Sequence, residues 1–176
     1  MVWGQGVILG NAEEEFKIFL EKSGIPAAWT ILGLSAIPTD HPSNRGMVGM
    51  HGNYAPNLLT NECDLLIAIG MRFDDRVTGD LSKYAKQAKI IHLELDPAEV
   101  DKNVKVDVAL LSDCKISLKE LNNRISAKTY PEWIARFEAL DKIENDKVIH
   151  SDLFPSKEGL TMGESIEMIN KYSNND

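Results

Sequence analysis

Cysteine is scarce in this chain: Cys63 and Cys114 are the two present among 176 residues, and they show no CxxC spacing. That excludes a disulfide framework and leads to the expectation of a reducing, cytoplasmic setting. An excess of positive charge is missing as well. Nineteen Lys and Arg stand against 27 Asp and Glu, a formal charge of -8 with a pI near 5.0, and no basic cluster rises from that background. Neither nucleic acid nor an anionic membrane is expected as a partner, and any anion site must be local. No apolar run reaches the roughly 18 residues of a membrane span, and no secretory signal pattern opens the chain. The Walker, HExxH and GxSxG motifs are absent, and His41, His51, His92 and His150 are not spaced with the cysteines as a metal set.

What is there is enough apolar residue, 43%, for one sizeable core and a tail. Runs at 25–32, 63–70, 88–95 and 104–111 are continuously apolar and β-branched, which predicts strands buried on both faces of a parallel sheet. Val2 and Trp3 make a fifth, unusually short, strand before Gly4, and so abrupt a start suggests a chain cut from a longer one. Helices fall between the strands. The clearest runs from about Ala12 to Lys22, with Asn11 as its cap, Glu14 at the capping-box position, and Ser23 and Gly24 as its end. "NYAPNLLTNE", "DLSKYAKQ" and "CKISLKELNNRI" supply other crossovers, and "DPAEVDKN" a turn or short helix. The expected fold class is therefore α/β: a doubly wound parallel sheet of five to six strands flanked by helices over residues 1–126. Beyond it the strand pattern stops. A polar helix at about 131–143 and a loop rich in turn residues read as a linker over 127–161, and "TMGESIEMINKY" opens a further domain over 162–176.

Ligands of such a sheet sit beyond the carboxyl ends of its strands. The exits here are Gly4, Gln5 and Gly6; Thr30, Ile31, Leu32 and Gly33; "GMRFDDRVTG" at 70–79; "ELDPAE" at 94–99; and Ser112 with Asp113. The glycines and the start of the Asn11 helix suggest a nucleotide-like anion lying across several exits. NAD held in the usual manner is not indicated, because Gly4, Gly6 and Gly10 give GxGxxxG and the second strand ends without an acidic residue. The stretch "HPSNRGMVGMHGN" reads equally as a flexible loop or as a wall whose Gly49, Met50 and His51 wrap a flat ring. Arg72 and Arg76 could form a surface ion-pair cluster with Asp74 and Asp75, yet their place at a strand exit favours phosphate-binding forks, with the aspartates orienting them or accepting from ligand hydroxyls.

"GLSAIPTDHPSNRGMVGMHGNYAPN", "ECDLLIAIGMRFDDRVTGDLSKYAKQAKIIHLELDPAEVDKN" and "VDVALLSD", in this order, resemble the central domain of the acetolactate (acetohydroxyacid) synthase large subunit, a thiamine-diphosphate enzyme; the likeness covers nearly all of residues 1–121. The resemblance implies a structural FAD on this domain. Its contacts would fall on Gly4, Gln5, Gly6, Thr30, Ile31, Leu32, Val48, Gly49, Met50 and His51, then on Gly70, Met71, Arg72, Asp74, Arg76, Val77, Glu94, Leu95 and Asp113, with Asp75 and Arg76 facing the substrate channel. It also implies that thiamine diphosphate and magnesium are held by flanking domains with no site on this chain, so that the chain alone is inactive. The whole enzyme would condense pyruvate with pyruvate or 2-ketobutyrate, in branched-chain amino acid biosynthesis, as a homo-oligomer with a regulatory small subunit.

Gln5, Asp101 and Ser112 stand where that family usually has glycine, and Glu94 where it commonly has Asp, which places added bulk or reach near the nucleotide. These departures also fit an alternative reading: a stand-alone nucleotide-binding sensor or partner module with the same fold and no catalysis. A deacetylase-like relative finds no support, since zinc cysteines are lacking.

Overall fold

In the computed structural model, which describes residues 1–154 and 159–173, strand β1 (Val2–Trp3) lies at the centre although it is two residues long. Side chains make up for its length. Val2 and Trp3 are each 1% exposed and point to opposite faces; the Trp3 indole donates to the Gly33 carbonyl at 2.8 Å and packs against Phe16 with ring centroids 5.2 Å apart. Around β1 stand β2 (Ala27–Trp29), β3 (Asn44–Met47), β4 (Leu65–Ile69), β5 (Lys89–Glu94) and β6 (Val108–Leu111). The six strands run parallel in the order β3-β2-β1-β4-β5-β6. The chain winds one way from β1 to β3, then returns to β1's other side with β4. That reversal opens a crevice between β1 and β4, where a doubly wound sheet takes its ligand.

The helices are α1 (Gly6–Leu9), α2 (Glu13–Ser23), α3 (Tyr54–Thr60), α4 (Asp75–Thr78), α5 (Cys114–Arg124), α6 (Pro131–Glu144), α7 (His150–Leu153) and α8 (Met162–Tyr172). Alternate strand residues feed two cores. Trp3, Ile67, Ile69 and Leu93 meet Phe16, Phe19, Leu20 and Leu118 of α2 and α5 on one face; Val2, Leu66, Ala68 and Ile90 meet Met71, Phe73 and Tyr84 on the other. Each large side chain so buried contributes about 1.5–3 kcal/mol. A third cluster joins Ala55 and Leu59 of α3 to Phe137 of α6, so α6 is packed onto α3. No described helix is long and apolar enough to cross a membrane.

Several elements differ from the sequence expectation, each for a local reason. The strand expected at 25–32 is confined to Ala27–Trp29, because Ile31–Gly33 turns into a 3-10 helix. The expected strand at 104–111 starts at Val108, since the Asp101 carboxylate takes the Val106 N–H. It is an edge strand with Val108 and Leu111 exposed, not one buried on both faces. The glycine-rich loop contains β3, whose half-buried residues carry no apolar run. Asn11 does not cap α2: it adopts φ 48°, Ala12 occupies the cap position without a side-chain bond, and Glu14 completes no capping box. "DLSKYAKQ" forms turns instead of a helix, because Asp80 bonds Ser82 and Ala85 breaks away at φ 43°, its N–H held by Asn61. Past Glu144 the expected loop continues as a π-turn, Asn145–Ile149, and α7; residues 155–158 of that loop lie outside the described residues.

Candidate functional site: a cleft across the strand exits

A cleft of about 650 Å³ crosses the carboxyl ends of all six strands. Its lining takes Gln5 and Gly6 after β1, Thr30, Ile31 and Leu32 after β2, Met47, Val48, Met50 and His51 at β3, Gly70, Met71, Arg72, Asp74, Arg76 and Val77 after β4, Glu94 and Leu95 after β5, and Asp113 after β6. Of the cofactor residues expected from sequence, Gly4 and Gly49 stand outside this lining. Asp75 lies apart too, in an adjoining hollow of about 270 Å³ with Gly49, Met50 and Arg76. Leu9, Met47 and Cys114 line the cleft without having been singled out, and so does Gly10, noted in the sequence only for its place in GxGxxxG; Leu9 and Cys114 sit at the ends of helices that the strand-exit rule does not inspect.

The glycines at the crevice serve the backbone first. Gly6 N–H donates to the Gly70 carbonyl at 2.9 Å and Gly4 N–H to Ile69 at 3.0 Å, so these amides are not free for a ligand. A Cβ on Gly6 would lie 2.6 Å from the Gly70 Cα, and one on Gly70, at φ 55°, would lie 2.8 Å from the Cys114 sulfur. Glycine is required here for the exits of β1 and β4 to touch. Nor does α2 direct its positive end into the cleft. Glu13, Glu14 and Glu15 fill its first turn, and the chain spends one turn in α1 before reaching it. This is the physical content of the failed GxGxxG pattern.

Charge in the cleft is arranged with the acids held and the bases free. The Asp74 carboxylate accepts from Arg76 N–H at 3.1 Å and Val77 N–H at 3.2 Å, capping α4. Glu94 Oε1 accepts from the N–H groups of Leu95 and Asp96, and Asp113 Oδ1 from Lys115 N–H, capping α5. Arg72 Nη2 is 4.0 Å from Asp74 and Arg76 Nη1 3.9 Å from Asp75, with the arginine side chains 62% and 79% exposed. At that separation and exposure the pairs are worth little, leaving two guanidinium forks open to an anion. The walls are apolar and uncovered: Leu9, Ile31, Met50 and Leu95 are each more than 60% exposed. Beneath them His92 is fully buried, with Nε2 2.8 Å from the Met71 carbonyl and 3.6 Å from Glu94, tying the β4 and β5 exits together. Burial, and then the charges of Asp113 and Glu94, push the Cys114 thiol up to about 12, so it meets the cleft as a neutral group and not as a nucleophile.

Of the three residues standing in place of glycine, one lies in the cleft wall. Gln5 lines it, whereas Ser112 and Asp101 do not. Asp101 instead holds φ 59° and bonds Val106 N–H at 2.9 Å, which replaces glycine's freedom with a side-chain bond. Of the three positions expected to add bulk or reach near a nucleotide, Asp101 and Ser112 thus stand outside the cleft lining.

Comparison with known proteins fits this arrangement. A family model described as "Thiamine pyrophosphate enzyme, central domain" matches residues 1–121. The chain belongs to this family. The match ends within α5, so it covers the sheet and the cleft lining but not α6 to α8. Similar proteins include the "Probable acetolactate synthase large subunit" of Methanocaldococcus jannaschii, 46% identical over 143 residues, 80% of this chain and 24% of that protein. The "Acetolactate synthase large subunit" of Lactococcus lactis is 34% identical over 177 residues, 100% of this chain and 30% of that protein. The chain thus spans between about a fifth and a third of the length of such relatives.

Proposed function

We propose that this chain is the flavin-holding central domain of an acetolactate synthase large subunit. The observation that carries the reading is the unbroken line of cleft residues along six strand exits, in a chain 46% identical to a protein of that name. The donor set suits FAD. Arg72 and Arg76 are free forks for a diphosphate, Leu9, Ile31 and Leu95 offer apolar walls to a flat ring, and the acids at Glu94 and Asp113 retain oxygens for ligand hydroxyls. A volume of about 650 Å³ lies within the range of nucleotide and cofactor sites.

In the parent enzyme this FAD would be structural. Thiamine diphosphate with magnesium, held by flanking domains, would supply the decarboxylating chemistry by which pyruvate condenses with pyruvate or 2-ketobutyrate to 2-acetolactate or 2-aceto-2-hydroxybutyrate. The chain's own part is to hold the flavin and, through the exposed Asp75 and Arg76, to form a stretch of channel wall beside it. The domains fall at 1–126, 127–161 and 162–176, the parent assembles as a cytoplasmic homo-oligomer with a regulatory small subunit, and the isolated chain has no synthase activity. Titrating the purified chain with FAD, followed by flavin fluorescence and thermal shift with NAD as control, tests the reading. Saturable FAD binding that Arg72→Ala abolishes is the expected result; equal response to NAD and FAD would overturn it.

A further inference from the structure

Val48, Met50 and His51 reach the cleft from a segment that follows β3 and has no ladder of its own. The sheet holds its start, where Val48 N–H donates to the Trp29 carbonyl of β2 at 2.9 Å, but Gly49, Met50 and His51 lie past that bond. We propose that Asn57, which does not line that cleft, is the positioning residue that sets this wall; the role in cofactor binding rests on the flavin reading above. Asn57 Oδ1 accepts from Gly49 N–H at 2.8 Å, and its Nδ2 donates to the Gly49 carbonyl at 2.9 Å. Both peptide groups of one residue are thus clamped by one side chain. Only an amide of this length offers a donor and an acceptor side by side; aspartate lacks the donor and leucine lacks both.

The clamped residue is the one with most freedom to lose. Gly49 sits at φ 107°, where a Cβ would lie 2.6 Å from the Arg76 carbonyl, and the same carbonyl accepts from Met50 N–H at 2.8 Å. The wall is therefore held on one side by α4 and on the other by α3. Asn53, one turn before Asn57, adds to the hold: its Oδ1 accepts from Met47 N–H at 2.9 Å and its own backbone N–H donates to the Met47 carbonyl at 2.8 Å. Helix α3 is itself fixed, since Ala55 and Leu59 are buried against Phe137 of α6. Releasing Gly49 leaves Met50 and His51 attached through a glycine with a wide range of conformations, and the ordering cost then falls on ligand binding.

The test uses the chain with Asn57→Asp, nearly isosteric, and Asn103→Asp as a control whose side chain bonds the Phe73 carbonyl and touches neither Gly49 nor Asn57. Amide hydrogen exchange by NMR and FAD titration are the readouts. Asn57→Asp is expected to speed exchange at Gly49 and Met50 at least tenfold while the Leu59 and Ile69 amides keep their protection, and to raise the FAD Kd by roughly tenfold, the worth of a hydrogen bond or two. Uniform loss of protection across the core, or unchanged exchange at Met50, would overturn the proposal. If the chain without the substitution takes no FAD, the flavin reading falls, and the exchange pattern alone decides the clamp. Should Asn57→Asp not fold, Asn57→Ser is judged by the same exchange criterion.

Discussion

Asp74 can be made to show whether the aspartates of the RFDDR run act through geometry or through charge. One of its oxygens accepts from the N–H groups of Arg76 and Val77 at 3.1 and 3.2 Å, while the other stands 4.0 Å from Arg72 Nη2. Loss of a capping side chain costs about 0.5–2 kcal/mol. An exposed ion pair is worth about 0–1 kcal/mol, and this one, with Arg72 62% exposed, belongs at the low end. The cap is the larger effect. Asp74→Ala, which loses both, is expected to lower the unfolding free energy by about 1–2 kcal/mol, and Asp74→Asn, which keeps the acceptor, by under about 0.5 kcal/mol. Urea denaturation followed by circular dichroism gives both values from the midpoint at constant slope. Salt near 1 M, where screening acts over about 3 Å, should leave the alanine variant's deficit in place. Equal losses in Ala and Asn, or a deficit that salt abolishes, would refute the cap.

Four further outcomes follow from the packing. Gly70→Ala combines a left-handed φ with a Cβ only 2.7 Å from Gly6 Cα, so a loss of roughly 2–5 kcal/mol in urea is expected, and a loss below about 1 kcal/mol would show that the β1 and β4 exits are looser than described. His92→Phe leaves the Met71 carbonyl without its donor and should cost about 1–3 kcal/mol; an unchanged midpoint would mean that this bond does not hold the two strand exits together. Phe137→Ala should cost about 3–5 kcal/mol if α6 is part of the folded unit, whereas a cost near zero would make α6 a loose linker. The Cys114 thiol is raised from an ordinary 9.0 to about 12, so the unfolded chain ionises first. Its contribution is intact below about pH 9 and is lost as pH rises toward 12, and Cys114→Ala should flatten that part of the stability profile; an unaltered profile would contradict it.

The central strands were legible because burial on both faces leaves its mark as continuous apolar runs, as in "LLIAI" of β4 and "KIIHLE" of β5. β3 was not. "NRGM" carries no such run, and its place in the sheet is set by Asn53, which takes the Met47 N–H, and by pairing with β2. Helix α5 was legible as a crossover segment, "CKISLKELNNRI", while α2's true start was hidden by a left-handed Asn11 that propensity alone does not reveal. Strand exits as a class located most of the cleft, since topology dictates where they converge. What the glycines do could not be read the same way. Gly4, Gly6 and Gly70 suggest ligand contact in sequence, yet in space they allow two backbones to meet. Likewise Asp74 reads as a charge and acts as a cap, a distinction that exists only once α4 is folded.

The most direct test of the account is an amide chemical-shift map of the chain on adding FAD. Perturbations are expected at Gly6, Leu32, Met71, Arg72, Leu95 and Asp113, which flank the crevice on both sides of β1 and β4. Shifts confined to the apolar hollow beneath α6, around Ile25, Leu65 and Trp133, or none at all with the fold intact, would contradict a flavin site at the strand exits.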